Sequence, residues 1–390
     1  MKKIRLAIVA THPIQYHVPW FQGLAAHAEI DLKVYFALLP DPAQQGTGFG
    51  KAFHWDIPML EGYSWTALEN VRAHPDLGRF FGSSTPGVRR VFRDERPDAV
   101  LLNGWEALPL LQALCVGRLL GIPRIVRGES NALRARPLWI RPLHRLLLAQ
   151  YGAFLAIGKA NRDFYLANGA AGSRIFSAPY FVDNARFATG ARAAGRVEQR
   201  RRWNIPDAAA CFLFAGKLEP KKRILDLVGA MSLAARGHRP VHLLVVGSGV
   251  LMAEAQALAA RERVPATFAG FLNQTELPQA YAAADCLVLP SDYGETWGLV
   301  VNEAMACGLP AVVSDRVGCG PDLVESGATG MLFPFGDVPA LGGMLRSLAA
   351  QPGSLAEMGA RAKERIGRYS VEQAVAGTVE AVRHVTQGRG

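Results

Sequence analysis

Two stretches of this chain gather residue types that could do chemistry. The first reads Gly216-Lys217-Leu218-Glu219-Pro220-Lys221-Lys222-Arg223 and puts four cations and one acid directly after the apolar run at 211–215. Gly216 lets the backbone turn tightly. Lys217 and Lys222 can both reach back over the end of the run, which makes a trap for a phosphate or diphosphate. A solvated charged turn is the alternative. The second stretch, 291–310, follows another apolar run at 286–290, and its Gly308 and Pro310 are stop signals. They predict a helix of about ten residues starting near Trp297. Free N–H groups at such a start suit an anion. Glu303 falls inside this helix, which is apolar almost all round, and a carboxylate there is costly unless something satisfies it. Sugar hydroxyls would do so; so would an internal salt bridge or an N–H cap. Glu295 lies in the preceding loop, eight positions earlier.

Elements must position these residues, and the sequence supplies two series of them. Apolar runs at 4–10, 32–37, 99–103, 124–127 and 154–157 read as strands, with helical spacing between them, as at 108–120. After a gap the rhythm restarts at 211–215, 243–247, 266–269, 286–290 and 311–314. Near-continuous apolar strands alternating with helices imply parallel sheets covered on both faces. The predicted fold class is α/β, with two doubly wound Rossmann-like domains at 1–183 and 204–365. The Arg-rich stretch 184–203 reads as a linker, and 366–390 as a C-terminal helix that can pack back on the first domain. In such sheets ligands bind beyond the carboxyl ends of the strands, so two sheets facing each other would make a cleft.

Composition sets outer bounds. Half of the 390 residues are hydrophobic, with 18 Phe and 7 Trp, which supplies large cores and excludes wholesale disorder. The net charge is +10, of which about +7 lies before residue 184. That surplus suits phosphates, nucleic acid or an acidic membrane surface. Five cysteines, at 115, 211, 286, 307 and 319, form no C-x-x-C and are expected as buried free thiols in a reducing compartment. The apolar run from Leu6 to Ala10 is too short for a signal peptide, and no run of 18 apolar residues occurs. A cytoplasmic protein is expected.

Together the two charged stretches resemble the retaining glycosyltransferases of family four, which have the GT-B fold. That family shows a G-[RK]-L-x-x-x-K element followed by an E-x7-E element, here Gly216-Lys217-Leu218…Lys222 and Glu295…Glu303. The surroundings are similar too: Val246-Gly247-Ser248-Gly249, Phe268-Ala269-Gly270-Phe271, Gly318-Cys319-Gly320-Pro321 and the run from Gly327 to Phe333. Pro179-Tyr180-Phe181-Val182-Asp183 resembles the segment before the domain crossing, more weakly. The resemblance implies a nucleoside diphosphate sugar held by the second domain, with UDP the favoured base and GDP open. It implies Gly216, Lys217 and Lys222 at the diphosphate, and backbone N–H groups of Thr296, Trp297, Gly298 and Leu299 beside it. Glu303 would take the ribose hydroxyls and Glu295 those of the transferred sugar, while Phe271 and Leu272 would line the base. Lys217, Lys222 and Glu295 are the expected catalytic residues. The chain contains no D-x-D, so neither a metal nor another cofactor is expected.

The first domain should carry the acceptor, a glycan or a lipid-linked sugar, and it departs from the family. The loop after its first strand reads Thr11-His12-Pro13-Ile14-Gln15-Tyr16-His17 rather than being Gly-rich. His12 and Gln15 can touch donor phosphate or acceptor hydroxyl, whereas His17 is expected on the exposed face of the first helix. The loops Asn103-Gly104-Trp105-Glu106 and Arg127-Gly128-Glu129-Ser130-Asn131 lack the family's His. Asn103 or Glu129 can take its place, or Glu129 is tied in a salt bridge to Arg127 or Arg134. Residues 134–148 interleave Arg with Trp and aliphatics, and no acid lies between Glu129 and Asp163. Such a segment can sit on anionic lipid at the inner face of a membrane, or line the cleft with its Arg solvated. A long loop region holding Phe49, Gly50 and residues 54–58 and 61–63 suits sugar binding or an acceptor lid. The rival readings are an epimerase-like GT-B protein, a nucleotide-sugar-binding pseudoenzyme and a basic nucleic-acid-binding protein. No nucleic-acid module appears in the sequence, and the basic residues are scattered, so no nucleic-acid partner is expected.

Overall fold

Short apolar runs become parallel strands here because both faces of each are covered. The structure, a computed structural model, describes residues 2–387. Met1 and residues 388–390, at the ends of the expected first domain and C-terminal segment, lie outside the described residues. The chain divides into two compact units. Unit 1 contains the chain up to Gln45, Pro58–Tyr180 and the chain from Val371 on, and unit 2 contains Gly46–Ile57 and Phe181–Ser370.

Unit 1 has seven strands: β1 (Ile4–Ala10), β2 (Ile30–Phe36), β3 (Trp65–Ala67), β4 (Ala99–Leu102), β5 (Arg124–Val126), β6 (Ala153–Ala156) and β7 (Ile175–Ser177). All pair in parallel, in the order β3-β2-β1-β4-β5-β6-β7. β3 and β7 are three-residue edge strands, too short to show as apolar runs. The helix Val371–Thr386 belongs to this unit and buries Ala374, Val375, Val379 and Val382. Its Thr378 hydroxyl accepts the Trp20 indole N–H at 3.1 Å.

Unit 2 has six parallel strands: β8 (Ala210–Ala215), β9 (Val241–Val246), β10 (Ala266–Gly270), β11 (Cys286–Leu289), β12 (Ala311–Ser314) and β13 (Gly330–Phe333). Their order is β10-β9-β8-β11-β12-β13. Every residue of β8, β9, β11 and β12 is buried. The stretch expected as a linker is two helices of this unit, Asn184–Ala194 and Arg196–Arg202. Asp183 caps the first by accepting from the Arg186 N–H, and Gly195 at φ 72° separates them. Arg200 is buried, and its guanidinium donates to the carbonyls of Ala283, Pro206 and Ala209 and to Asp285. Three cysteines are buried as expected, but Cys115 is exposed and Cys307 half-buried. Cys115 falls outside the buried positions of the helix Leu108–Leu119.

The loops that follow β8 and β9 touch. Gly247 has φ 127°, and a Cβ there would stand 1.8 Å from the Gly216 carbonyl oxygen. The Gly-x-Gly of 247–249 is therefore a packing feature that lets the β9 loop press on the Gly216 loop. Gly247→Ala is expected to cost about 2–4 kcal/mol of stability through backbone strain and steric displacement. Urea unfolding checks this; an unchanged midpoint would contradict the contact.

Candidate active site

In an open parallel sheet the binding crevice lies where the strand order reverses. In unit 2 that point falls between β8 and β11, and both charged stretches begin there. The Gly216 N–H donates to the Val246 carbonyl at 2.9 Å, and a short 3-10 turn, Pro220–Lys222, then folds the chain back. The turn delivers the Lys222 ammonium to Glu295, forming an ion pair whose side chains are only 13% and 14% exposed. Glu295 is held from the β11 side: its N–H donates to the Asp292 carbonyl, and its own carbonyl accepts from the Gly318 N–H. Burial pushes the pKa of Lys217 below its ordinary value. Glu219 opposes this, while Lys221 and Lys222 push further down. The cations are thus crowded, and an arriving anion would relieve them.

The helix expected near Trp297 runs Leu299–Ala306. It starts two residues later because Gly298 precedes it at φ 99° in the left-handed region. Trp297 is buried, and its indole N–H donates to Asn302 Oδ1 at 2.8 Å. The Thr296 carbonyl lies against Gly318, where a Cβ would stand 1.8 Å from it. Glu303 is fully buried and accepts the Tyr281 hydroxyl at 2.5 Å, so one of its oxygens is satisfied inside the fold. Phe271 and Leu272 follow the end of β10, both half-buried.

In unit 1 the order reverses between β1 and β4. His12 sits just past β1, its Nδ1 3.0 Å from the Thr11 hydroxyl, and Gln15 is half-buried two positions before His17. His17 is buried rather than exposed, because it stands at the N-cap of Val18–Ala26 and turns into the sheet edge. Asn103, just past β4, approaches His17 Nδ1 at 3.2 Å. Glu129 accepts the Tyr180 hydroxyl at 2.5 Å. Sequence reasoning did not single out Arg127, Tyr180, Tyr281 or Glu106 as site residues. Arg127 is 1% exposed, with its guanidinium 4.4 Å from the Tyr180 ring centre and 5.2 Å from that of Trp20. Its Nη1 makes long contacts of 3.4 Å to His17 and 3.5 Å to Asn103, and its Nε and Nη2 have no hydrogen-bond partner. A signal existed: an Arg directly after the apolar strand β5 stands at the ligand edge. Burial raises the pKa of Glu106, and nearby Glu129 adds to the rise while Arg134 and Arg136 oppose it.

Residues 134–148 fold as a 3-10 turn, Leu138–Ile140, and a helix, Arg141–Leu148. Leu138, Trp139, Leu143 and Leu146 are 60–76% exposed. No helix among the described residues is long and apolar enough to cross a membrane. Also among them, no group of three or more His, Cys, Asp or Glu is placed to hold a metal ion.

Residues 195–365 match the family of glycosyl transferases group 1. The GDP-mannose-dependent alpha-mannosyltransferase of Mycobacterium tuberculosis (strain CDC 1551 / Oshkosh) is 32% identical over 302 residues, covering 72% of this chain and 74% of that protein. The chain belongs to the glycosyl transferases group 1. It is a glycosyltransferase of the family-four type. The D-inositol 3-phosphate glycosyltransferase of Streptomyces bingchenggensis (strain BCW-1) is 35% identical to it over 207 residues, 50% of this chain and 45% of that one. Among solved structures, Anabaena HepE in complex with UDP and glucose superposes with a TM-score of 0.72 at 16% identity, covering 97% of this chain and 99% of that one. The sucrose-phosphate synthase of Thermosynechococcus elongatus gives 0.73 at 20% identity, with 98% of each chain covered. These two share the GT-B fold with this glycosyltransferase.

In this glycosyltransferase His17 stays neutral. Burial holds its pKa well below 6.5, with Arg127 and then His12 adding to the depression. The unfolded chain takes up that proton below about pH 6.5 and the folded chain does not, so this group lowers stability as the pH falls. His17→Asn is expected to flatten the loss of melting temperature between pH 6.5 and 5. Equal slopes in the two proteins would contradict a buried neutral imidazole.

Proposed function

We propose that this glycosyltransferase moves a sugar, with retention, from a nucleoside diphosphate sugar to a glycan or lipid-linked acceptor. One observation carries the reading: Lys217, Lys222 and Glu295 converge at the β8/β11 reversal, where the helix Leu299–Ala306 begins. Unit 2 takes the donor. Lys217 and Lys222 bind the diphosphate, and the backbone at 296–299 adds N–H donors. Glu295 receives hydroxyls of the transferred sugar, Glu303 the ribose, and Phe271 and Leu272 the base. UDP is the base that the resemblance to family four favours. The M. tuberculosis relative's name makes a GDP-sugar an equal candidate. Unit 1 takes the acceptor, with His12, Gln15, Asn103 and Glu129 around its hydroxyl.

The charge flow explains the residue types. When the bond from the anomeric carbon to the phosphate oxygen breaks, positive charge builds on the sugar and negative charge on the diphosphate. Two ammonium groups and a helix start stabilise the leaving group as its charge grows. The acceptor oxygen then attacks from the face the diphosphate leaves, and a diphosphate oxygen takes the acceptor's proton. Neither a metal nor a protein base takes part in this scheme.

A lipid-linked acceptor would bring the enzyme to a membrane, and residues 134–148 suit an anionic one. Trp139, Leu138, Leu143 and Leu146 offer exposed apolar area, with Arg134, Arg136, Arg141 and Arg145 around them. Wild type is expected to sediment with vesicles containing phosphatidylglycerol and not with pure phosphatidylcholine. Trp139→Ser with Leu143→Ser should lower that binding at least several-fold. Equal binding by the variant would remove this face from the contact.

A thermal-shift panel of UDP, GDP, ADP and dTDP, with and without EDTA, tests the donor reading. One nucleotide should stabilise the protein, and EDTA should change nothing. Glu303→Ala should lose about 1.5–3 kcal/mol of nucleotide affinity, the worth of charged hydrogen bonds. Lys217→Ala or Lys222→Ala should lower turnover by about 100-fold and nucleotide affinity much less, because leaving-group charge peaks in the transition state. No shift with any nucleotide would overturn the reading.

A further inference from the structure

The chain leaves unit 1 after Gln45 and returns at Pro58, and the twelve residues between belong to unit 2. They form neither helix nor strand. They grip unit 2 on the residues proposed to hold the donor. The Thr47 carbonyl accepts the Lys217 ammonium at 2.7 Å, and that ammonium lies 4.9 Å from the centre of the Phe49 ring. Ser248 donates to the Phe49 carbonyl at 2.6 Å. Phe49 and Phe53 pack on Phe271 with ring centres 5.0 and 4.4 Å away, and Lys51 lies 4.5 Å from the same ring. Asn273 donates to the His54 carbonyl at 2.8 Å, and Asp56 accepts from Thr275.

Two details weigh against a permanent seat. A neutral carbonyl occupies the Lys217 ammonium, although a diphosphate oxygen makes the stronger, charge-assisted bond. The Trp55 indole N–H is buried without a hydrogen-bond partner, so the seated segment leaves a polar group unsatisfied. Gly48 permits the close approach: at φ 85°, a Cβ there would stand 2.9 Å from the Lys217 Nζ.

We infer that residues 46–57 are a strap seated in the donor site, its carbonyl on Lys217 and its phenylalanines on Phe271, which a nucleoside diphosphate must displace. This rests on the donor reading of Lys217 and Phe271. A strap that is seated most of the time lowers apparent donor affinity by the fraction of sites it leaves open.

The test uses the full chain, with GDP and UDP as probes. Calorimetry compares wild type with Phe53→Ala and Gly48→Ala. Tryptic cleavage after Lys51 is followed in wild type with and without nucleotide, which needs no variant to fold. The expected result is nucleotide affinity about 3- to 10-fold higher in both variants, with faster cleavage after Lys51 when nucleotide is present. Unchanged or weaker affinity in the variants, or Lys51 protected by nucleotide, would overturn the strap while leaving the donor site standing. No nucleotide binding by wild type or by either variant would overturn the donor reading, and the strap with it.

Discussion

A parallel strand covered on both faces has no place for a charged side chain until it ends. β8 keeps all six of its residues buried, and β11 all four. Charge can therefore appear only in the loops at either end, and the strand order decides which loops meet beyond the carboxyl ends. Because β8 and β11 are neighbours running the same way, Lys222 and Glu295, 73 positions apart, meet as an ion pair at one edge. The rest of the candidate donor site depends on that constraint. The pressure of Gly247 on the Gly216 carbonyl narrows it further, since it fixes where the Lys-bearing loop can begin.

The electrostatics of that edge are unbalanced in a way that suits an anion. Glu295 answers Lys222, and Glu219 answers Lys221, while Lys217 is met by a carbonyl. A cation losing water to burial, with two more nearby, has its charged form disfavoured. A diphosphate would restore it. The strap supplies the weaker substitute, which is why its contacts and the donor reading stand on the same residues.

How much of this was legible varied with distance along the chain. Strand runs of four or more buried residues were readable because a continuous apolar run has few other uses, and the charged loops after them followed at once. The edge strands β3, β7 and β13 were not, each being only partly buried. The stretch 184–203 looked like a linker because it is rich in Arg and shows little apolar period. Arg200 instead reaches carbonyls as far as Ala283, a contact that spacing cannot reveal. His17 was misjudged for the same reason: its burial depends on Asn103 and Arg127, which β4 and β5 bring from 86 and 110 positions away. The aromatic mix around Phe49 and Trp55 was visible, but not that it packs on Phe271, more than 200 residues on.

The two sheets share one strand order over six strands, yet their reversal points are filled differently. In unit 2 the β8/β11 edge carries ammonium groups that are half-buried and crowded, which fits a ligand bringing its own negative charge. In unit 1 the β1/β4 edge is backed by a guanidinium enclosed between Trp20 and Tyr180, with a neutral His17 beside it. Aromatic faces hold a cation without cancelling it. Arg127 can therefore lend positive potential to the edge while its atoms stay out of reach, and Tyr180 spends its hydroxyl on Glu129. That arrangement steadies the Glu129 carboxylate in the loop that follows β5.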